Sequence, residues 1–270
     1  DWTEKIMPMV KDFADAITMH YYAVPKGKWE DKGSATGFTR EEYYATLQAA
    51  AYMEELVTKH GHIMDKYDPE HKVGLIVDEW GTWYDVEPGT NPGFLYQQNT
   101  MRDAMAAALT LNIFNRHCDR VVMDNIAQMV NVLQAVILTE GDKMVLTPTY
   151  HVFDLYKCHQ DARLLGSFAE TEDVGGVADL SISASMDSEG TVHVTAANLD
   201  ADRRLEIELE ASGMSVNSAA GRILAGDMGA FNDFDHPKDL EPAVLEDIAT
   251  AGGRVRFILP GCSVAEITVR

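Results

Sequence analysis

Positive charge is scarce in this chain. Its 270 residues include 22 Lys and Arg against 43 Asp and Glu, a formal net charge of −21. Nucleic acids and anionic membrane surfaces are bound through clustered cations, so neither is expected as a partner. The acid surplus itself reads as a solubilising surface. Cysteine is equally sparse: Cys118, Cys158 and Cys262 lie far apart with no Cys-x-x-Cys spacing. That pattern suits reduced thiols in a cytoplasmic protein better than a disulfide framework. No apolar run approaches the roughly 18 residues that a membrane-spanning helix requires. Gly-x-Gly-x-x-Gly and phosphate-loop patterns are missing, so no nucleotide cofactor is implied. The Gly-x-Ser-x-Gly elbow of the α/β-hydrolases is missing too. The opening Asp1-Trp-Thr-Glu-Lys is neither a signal peptide nor a methionine start, and reads as an excised piece of a longer protein.

What is there centres on Val73-Gly-Leu-Ile-Val-Asp-Glu-Trp-Gly-Thr-Trp-Tyr84. Val73 to Val77 is a short run rich in β-branched residues, the signature of a strand buried on both faces. The Asp78-Glu79 pair then falls at the strand's carboxyl end, where α/β folds place their chemistry. Trp80, Trp83 and Tyr84 are expected to wall the carboxylate with aromatic faces, which suit the C–H faces of sugar rings. Side chains alternate along a strand, so if Glu79 faces the pocket, Asp78 is expected to point away from it.

Around this stretch the chain reads strand, helix, strand, helix, strand, helix. Ala16 to Tyr22 is the first strand, with His20 near its exit. Thr39-Arg-Glu-Glu42 is a capping box opening a helix with Tyr43, Leu47, Ala50, Met53 and Val57 on one face. Gly61 suits the left-handed cap that would end it. Thr100 to Asp103 repeats the capping signal before a helix with Ala104, Ala108 and Leu111 on one face. Arg120 to Met123 is a third strand, followed by Asp124, Asn125 and Gln128. Thr147-Pro148 opens a last helix. This alternation implies right-handed βαβ units and a parallel sheet. From about residue 161 short segments of period two take over, notably Leu180–Ala184, Thr191–Thr195, Leu205–Leu209, Val255–Leu259 and Ala265–Arg270, and these imply an antiparallel sandwich. The expected fold is therefore α/β plus all-β, divided into residues 1–160 and 161–270.

Four segments of the first part resemble the α-L-arabinofuranosidases of glycoside hydrolase family 51. They are Met19-His20-Tyr21-Tyr22, Val77-Asp-Glu79-Trp-Gly-Thr-Trp83-Tyr, Arg102 through His117, and Asn125-Ile-Ala-Gln128-Met-Val-Asn131, in the family's order. Phe231-Asn-Asp-Phe-Asp235 is the best local match in the second part, where the likeness is looser. The resemblance implies the last three βα units of a (β/α)₈ barrel followed by a β-sandwich. It also implies a retaining enzyme that releases terminal α-L-arabinofuranosyl residues from arabinan or arabinoxylan oligosaccharides, without cofactor or metal, as a homo-oligomer, commonly a hexamer. Carried over by position, Glu79 resembles the nucleophile, Tyr22 the group that orients it, and His20, Gln128 and Trp83 the lining of the sugar pocket. The family's acid/base is a glutamate in an Asn-Glu pair, and this sequence contains no such dipeptide. The chain as given is thus expected to lack half the catalytic pair and to be inactive alone.

Blander readings stand beside these. His20 could be a core histidine, Trp83 buried packing, and Gln128 a residue bonded to backbone. His60-Gly-His62 with Asp65 lies at a helix end without a further ligand at zinc spacing, which argues against a metal there. Two other functions remain open: a retaining barrel glycosidase acting on β-linked glucans, and a carbohydrate-binding protein that does not cleave.

Overall fold

The structure, a computed structural model, describes residues 1–270. A short helix, α1 (Trp2–Val10), leads into strand β1 (Ala16–Ala23). Helix α2 (Arg40–Asp65) opens on Thr39, whose side chain accepts from the Glu42 amide while Glu42 accepts from the Thr39 amide. The expected face of Tyr43, Leu47, Ala50, Met53 and Val57 is buried. Gly61 does not end this helix. The apolar spacing resumes at the buried Ile63 and Met64, and their burial outweighs the roughly 1 kcal/mol that an interior glycine costs.

Strand β2 (Gly74–Thr82) is longer than the apolar run within it and passes straight through Asp78-Glu79. It lies between β1 and β3 (Val121–Ile126), with both pairings parallel. Between these strands comes α3 (Met101–Arg116), where the expectation of a single apolar face is corrected. Every residue from Met101 to Phe114 is buried, because α3 touches β2 and β3 on one side and an antiparallel sheet on the other. Its small residues, Ala104 and Ala106 to Ala108, allow that close approach from two sides. A hairpin, β4 (Ile137–Glu140) and β5 (Lys143–Leu146), precedes helix α4 (Pro148–Tyr156), which Thr147 caps.

After a 3₁₀ turn at Lys157–His159 the chain is all strand. In order these are β6 (Arg163–Leu165), β7 (Asp173–Val174), β8 (Val177–Ala178), β9 (Leu180–Met186) and β10 (Val192–Asn198), then β11 (Leu205–Glu210) and β12 (Ala219–Ala225). Four more follow: β13 (Ala243–Val244), β14 (Ala249–Ala251), β15 (Arg254–Leu259) and β16 (Ser263–Val269). Six form one antiparallel sheet in the order β13-β12-β16-β10-β9-β6, and three form another, β11-β15-β14. Val255, Phe257 and Leu259 of the smaller sheet share a core with Val192, Val194, Ile267 and Val269 of the larger. Strand β12 escaped the sequence pattern, since Ala-Ala-Gly-Arg-Ile-Leu-Ala does not alternate. It is recruited by pairing with β16 along its whole length.

The larger sheet is covered on its other face by α3 and α4, which is why β10 and β16 are buried almost throughout. Polar side chains tie the layers together: Asn112 of α3 meets Ser181, Ser183 and Thr195. Helix α2 is anchored as well. Tyr43 donates to the Leu199 carbonyl, and the Tyr44 hydroxyl accepts from the Ala201 amide. Gly175, at φ +57°, lets the chain pass so close to the Tyr44 ring that a Cβ there would lie 2.3 Å from it.

Candidate active site

The site is built where β1 and β2 run side by side. Met19 pairs with Val77, but the next pair is His20 with Glu79, so Asp78 is an extra residue on β2. The pairing with β3 slips in the same place: Val77 faces Asp124 and Trp80 faces Ile126. This β-bulge bends the strand and re-aims its side chains. Strict alternation therefore fails. Asp78 does not turn away from the site, because His20 stands between the two acids. Its Nδ1 lies 3.6 Å from Glu79 Oε2, and its Nε2 lies 3.0 Å from Asp78 Oδ1. No hydrogen bond joins His20 to Asp78, and Asp78 Oδ1 is buried without a partner.

Tyr22, two residues beyond His20, donates its hydroxyl hydrogen to Glu79 Oε2 at 2.8 Å. Burial, reinforced by the hydrogen bond to Glu79 and its charge, raises the phenol well above its ordinary range, so Tyr22 remains a donor. The Glu79 side chain is 46% exposed, open enough to meet a ligand.

The aromatic wall differs from expectation. Trp80 and Tyr84 are each 1% exposed and belong to the interior. Trp80 packs against Phe114 and Phe153 and donates its indole N–H to Asp124 Oδ1 at 2.9 Å. Tyr84 and Phe38 sandwich the buried Arg102 guanidinium. Only Trp83 of the three faces the site, edge-on to Tyr22 with ring centroids 4.9 Å apart. Its other neighbour is Trp29, at 5.0 Å, from the loop between β1 and α2. The aromatic face beside Glu79 is therefore Tyr22, Trp83 and Trp29. Trp29 is 55% exposed, and a tryptophan in a Gly/Lys/Asp-rich loop was the one signal that could have marked it.

Behind the site a polar lock holds the end of β2. Gln134 Oε1 accepts from the Thr82 amide at 2.9 Å, and Thr82 Oγ1 donates to Asp103 Oδ1 at 2.6 Å. Asp103 also accepts from the Thr100 amide with its other oxygen, so the capping box of α3 braces the end of β2. Gly81, at φ +144°, supplies the backbone conformation this needs. Asp124 lies on β3 beneath Trp80; burial pushes its carboxyl up to about 6, against the lowering effect of the indole hydrogen bond. Gln128 is exposed in the loop after β3, and its side chain makes no hydrogen bond. His60 bonds to Thr3 Oγ1, in keeping with a structural role.

A carboxylate held by a tyrosine hydroxyl, a histidine between two acids and a partly open aromatic face make an apparatus for nucleophilic or acid–base chemistry on a flat, hydroxylated ligand. Comparison with known proteins points the same way. The family model for the α-L-arabinofuranosidase C-terminal domain matches residues 78–263. An intracellular exo-α-L-arabinofuranosidase of Bacteroides ovatus is 42% identical over an alignment that covers 100% of this chain and 53% of the relative. The crystal structure of a GH51 arabinofuranosidase from Xanthomonas axonopodis pv. citri superposes with a TM-score of 0.94 at 44% identity, covering 100% of this chain and 55% of that one. An α-L-arabinofuranosidase from Thermotoga maritima, at 22% identity and a TM-score of 0.82, shares the fold. The chain thus spans about half the length of the relatives it matches.

Proposed function

The chain belongs to the α-L-arabinofuranosidases of glycoside hydrolase family 51, and on that premise we propose that it carries the nucleophile half of a retaining exo-arabinofuranosidase site. In this reading residues 1–160 are the last three βα units of a (β/α)₈ barrel, and residues 161–270 a carboxyl-terminal β-sandwich. The parallel order β1-β2-β3 and the two antiparallel sheets sharing one core support it. The observation that carries the functional reading is the 2.8 Å hydrogen bond from Tyr22 to Glu79.

Glu79 attacks the anomeric carbon of a terminal α-L-arabinofuranosyl residue and forms a covalent glycosyl-enzyme with inversion. A second carboxylic acid, about 5 Å away in such enzymes, protonates the leaving oxygen. Water activated by that same group then attacks the anomeric carbon and frees Glu79, so configuration is retained overall. The acid/base would come from outside these 270 residues, which have no Asn-Glu pair. Tyr22 holds Glu79 in its attacking rotamer and stabilises the carboxylate as it is released from the glycosyl-enzyme. His20, Trp83 and Gln128 line the sugar pocket, with Trp29 added to the wall. The substrates are arabinofuranose-bearing oligosaccharides, and the working form is a cytoplasmic homo-oligomer. Three free cysteines and relatives named as intracellular support that location.

The test is hydrolysis of an aryl α-L-arabinofuranoside by the full-length protein. Glu79→Ala is expected to lower kcat by at least about 10³-fold, and azide to restore turnover as β-arabinofuranosyl azide. Activity that survives the substitution would remove Glu79 from the role. A wild type that binds arabinosides without cleaving them would make the protein a carbohydrate binder instead.

A further inference from the structure

Where the larger antiparallel sheet meets the end of α4, three unlike ligating groups converge. Cys158 follows α4 in the 3₁₀ turn, His193 lies on β10, and Glu266 on β16. Thr195 is the register partner of Glu266 and Thr268 that of His193, so His193 and Glu266 are diagonal neighbours on one sheet face. The sulfur, a ring nitrogen and a carboxylate oxygen all lie within 4.8 Å of one another.

The hydrogen bonding around His193 is awkward without a cation. Nδ1 is 3.1 Å from Glu266 Oε1, and Nε2 is 3.2 Å from Asp187 Oδ2. A neutral imidazole has one N–H, so one ring nitrogen must turn a lone pair toward a carboxylate. Either a second proton or a metal ion relieves that conflict. If Nε2–H donates to Asp187, Nδ1 presents its lone pair toward Glu266 and Cys158, which is the carboxylate–histidine–metal arrangement. Glu266 is only 7% exposed, and Thr268 Oγ1 donates to the same oxygen at 2.7 Å, which orients the carboxylate. The Cys158 thiol has only the Leu155 carbonyl, at 3.3 Å, as acceptor. Nearby Arg222 and Lys157 are both engaged by Asp154, so no free cation fills the pocket.

We propose that Cys158, His193 and Glu266 bind a divalent zinc-type cation, with Asp187 orienting the imidazole and a water completing four-coordination. One soft sulfur, one imidazole and one carboxylate suit zinc rather than calcium or magnesium. Binding replaces the thiol proton with a sulfur–metal bond and releases one proton to solvent. Because the ligating sulfur must give up its proton, affinity should fall with acid. The site would clamp the end of α4 to the larger sheet, and its presence does not depend on the glycosidase reading.

Chelator-treated full-length protein would be equilibrated with Zn²⁺ or Co²⁺, dialysed, and its metal content measured. One metal per chain is expected. The cobalt form should show a thiolate charge-transfer band together with the intense visible bands of a tetrahedral centre. Cys158→Ser should abolish the charge-transfer band and Cys118→Ser leave it intact. Asp187→Asn should weaken binding by roughly 10- to 100-fold. Metal well below one per chain, or a charge-transfer band that survives Cys158→Ser, would overturn the proposal.

Discussion

Tyr22 and Glu79 lie 57 positions apart, yet the phenol hydroxyl reaches Glu79 Oε2 at 2.8 Å because β1 and β2 are parallel neighbours in fixed register. In the proposed reaction this donor serves the nucleophile throughout: it orders the carboxylate before attack and stabilises it again as the glycosyl-enzyme breaks down.

Tyr22→Phe removes that donor and leaves the ring edge-on to Trp83. A hydrogen bond to a charged group contributes about 1.5–3 kcal/mol, so kcat should fall roughly 10- to 100-fold while the melting temperature changes little. Steady-state kinetics beside a thermal melt decide it. Unchanged kcat would mean the bond is ornamental to the chemistry.

Asp78→Asn takes away the charge that holds the far side of His20. The imidazole is then free to leave Glu79, and kcat/KM should drop about tenfold, far less than for Glu79→Ala. If instead Asp78→Asn matched the loss at Glu79 and responded to azide, Asp78 would be the nucleophile, and the bulge would have misled the assignment.

Trp29→Ala opens the outer side of the aromatic wall without touching Glu79 or Tyr22. One aromatic face against a sugar contributes on the order of 1 kcal/mol beyond buried area, so KM should rise several-fold with kcat nearly constant. Progress curves at several oligosaccharide lengths would show whether the loss falls on the terminal residue or on the leaving group. No change in KM at any length would take Trp29 out of the site.

Asp124 gives a pH-dependent prediction. Its folded carboxyl, near 6, is raised above the ordinary 3.8. The folded state therefore holds this proton more tightly than the unfolded state, and stability falls as pH rises from about 4 to about 6. Asp124→Asn keeps the acceptor for Trp80 and removes the buried charge. It should stabilise the protein by roughly 1–2 kcal/mol at about pH 8 and make no difference near pH 4. Denaturant titrations at the two pH values test this, and equal offsets at both would refute it.

Much of the architecture was legible locally. Capping boxes at Thr39 and Thr100, the Thr-Pro start of α4 and the spacing of Tyr43, Leu47, Ala50, Met53 and Val57 predict their helices, because these signals act within one or two turns. Glu79, His20 and Tyr22 were legible as strand-end residues, and the structure brings all three together. Gln128, taken from the same pattern, is exposed and its side chain makes no hydrogen bond within the chain. The places where local reading failed share one cause. Gly61 looks like a helix end until the burial of Ile63 and Met64 is counted. Trp80 and Tyr84 look like pocket walls until α3, α4 and the Arg102 cluster claim them. Asp78 looks as if it turns away until β1 and β3 impose their registers on β2. Sequence by itself determined where the chain coils and where it extends, since those depend on neighbours along the chain, while the choice of Glu79 over Asp78 came from the family resemblance. Which side chains face the ligand was decided only in three dimensions, because a bulge and a buried face exist solely through the strands and helices packed against them.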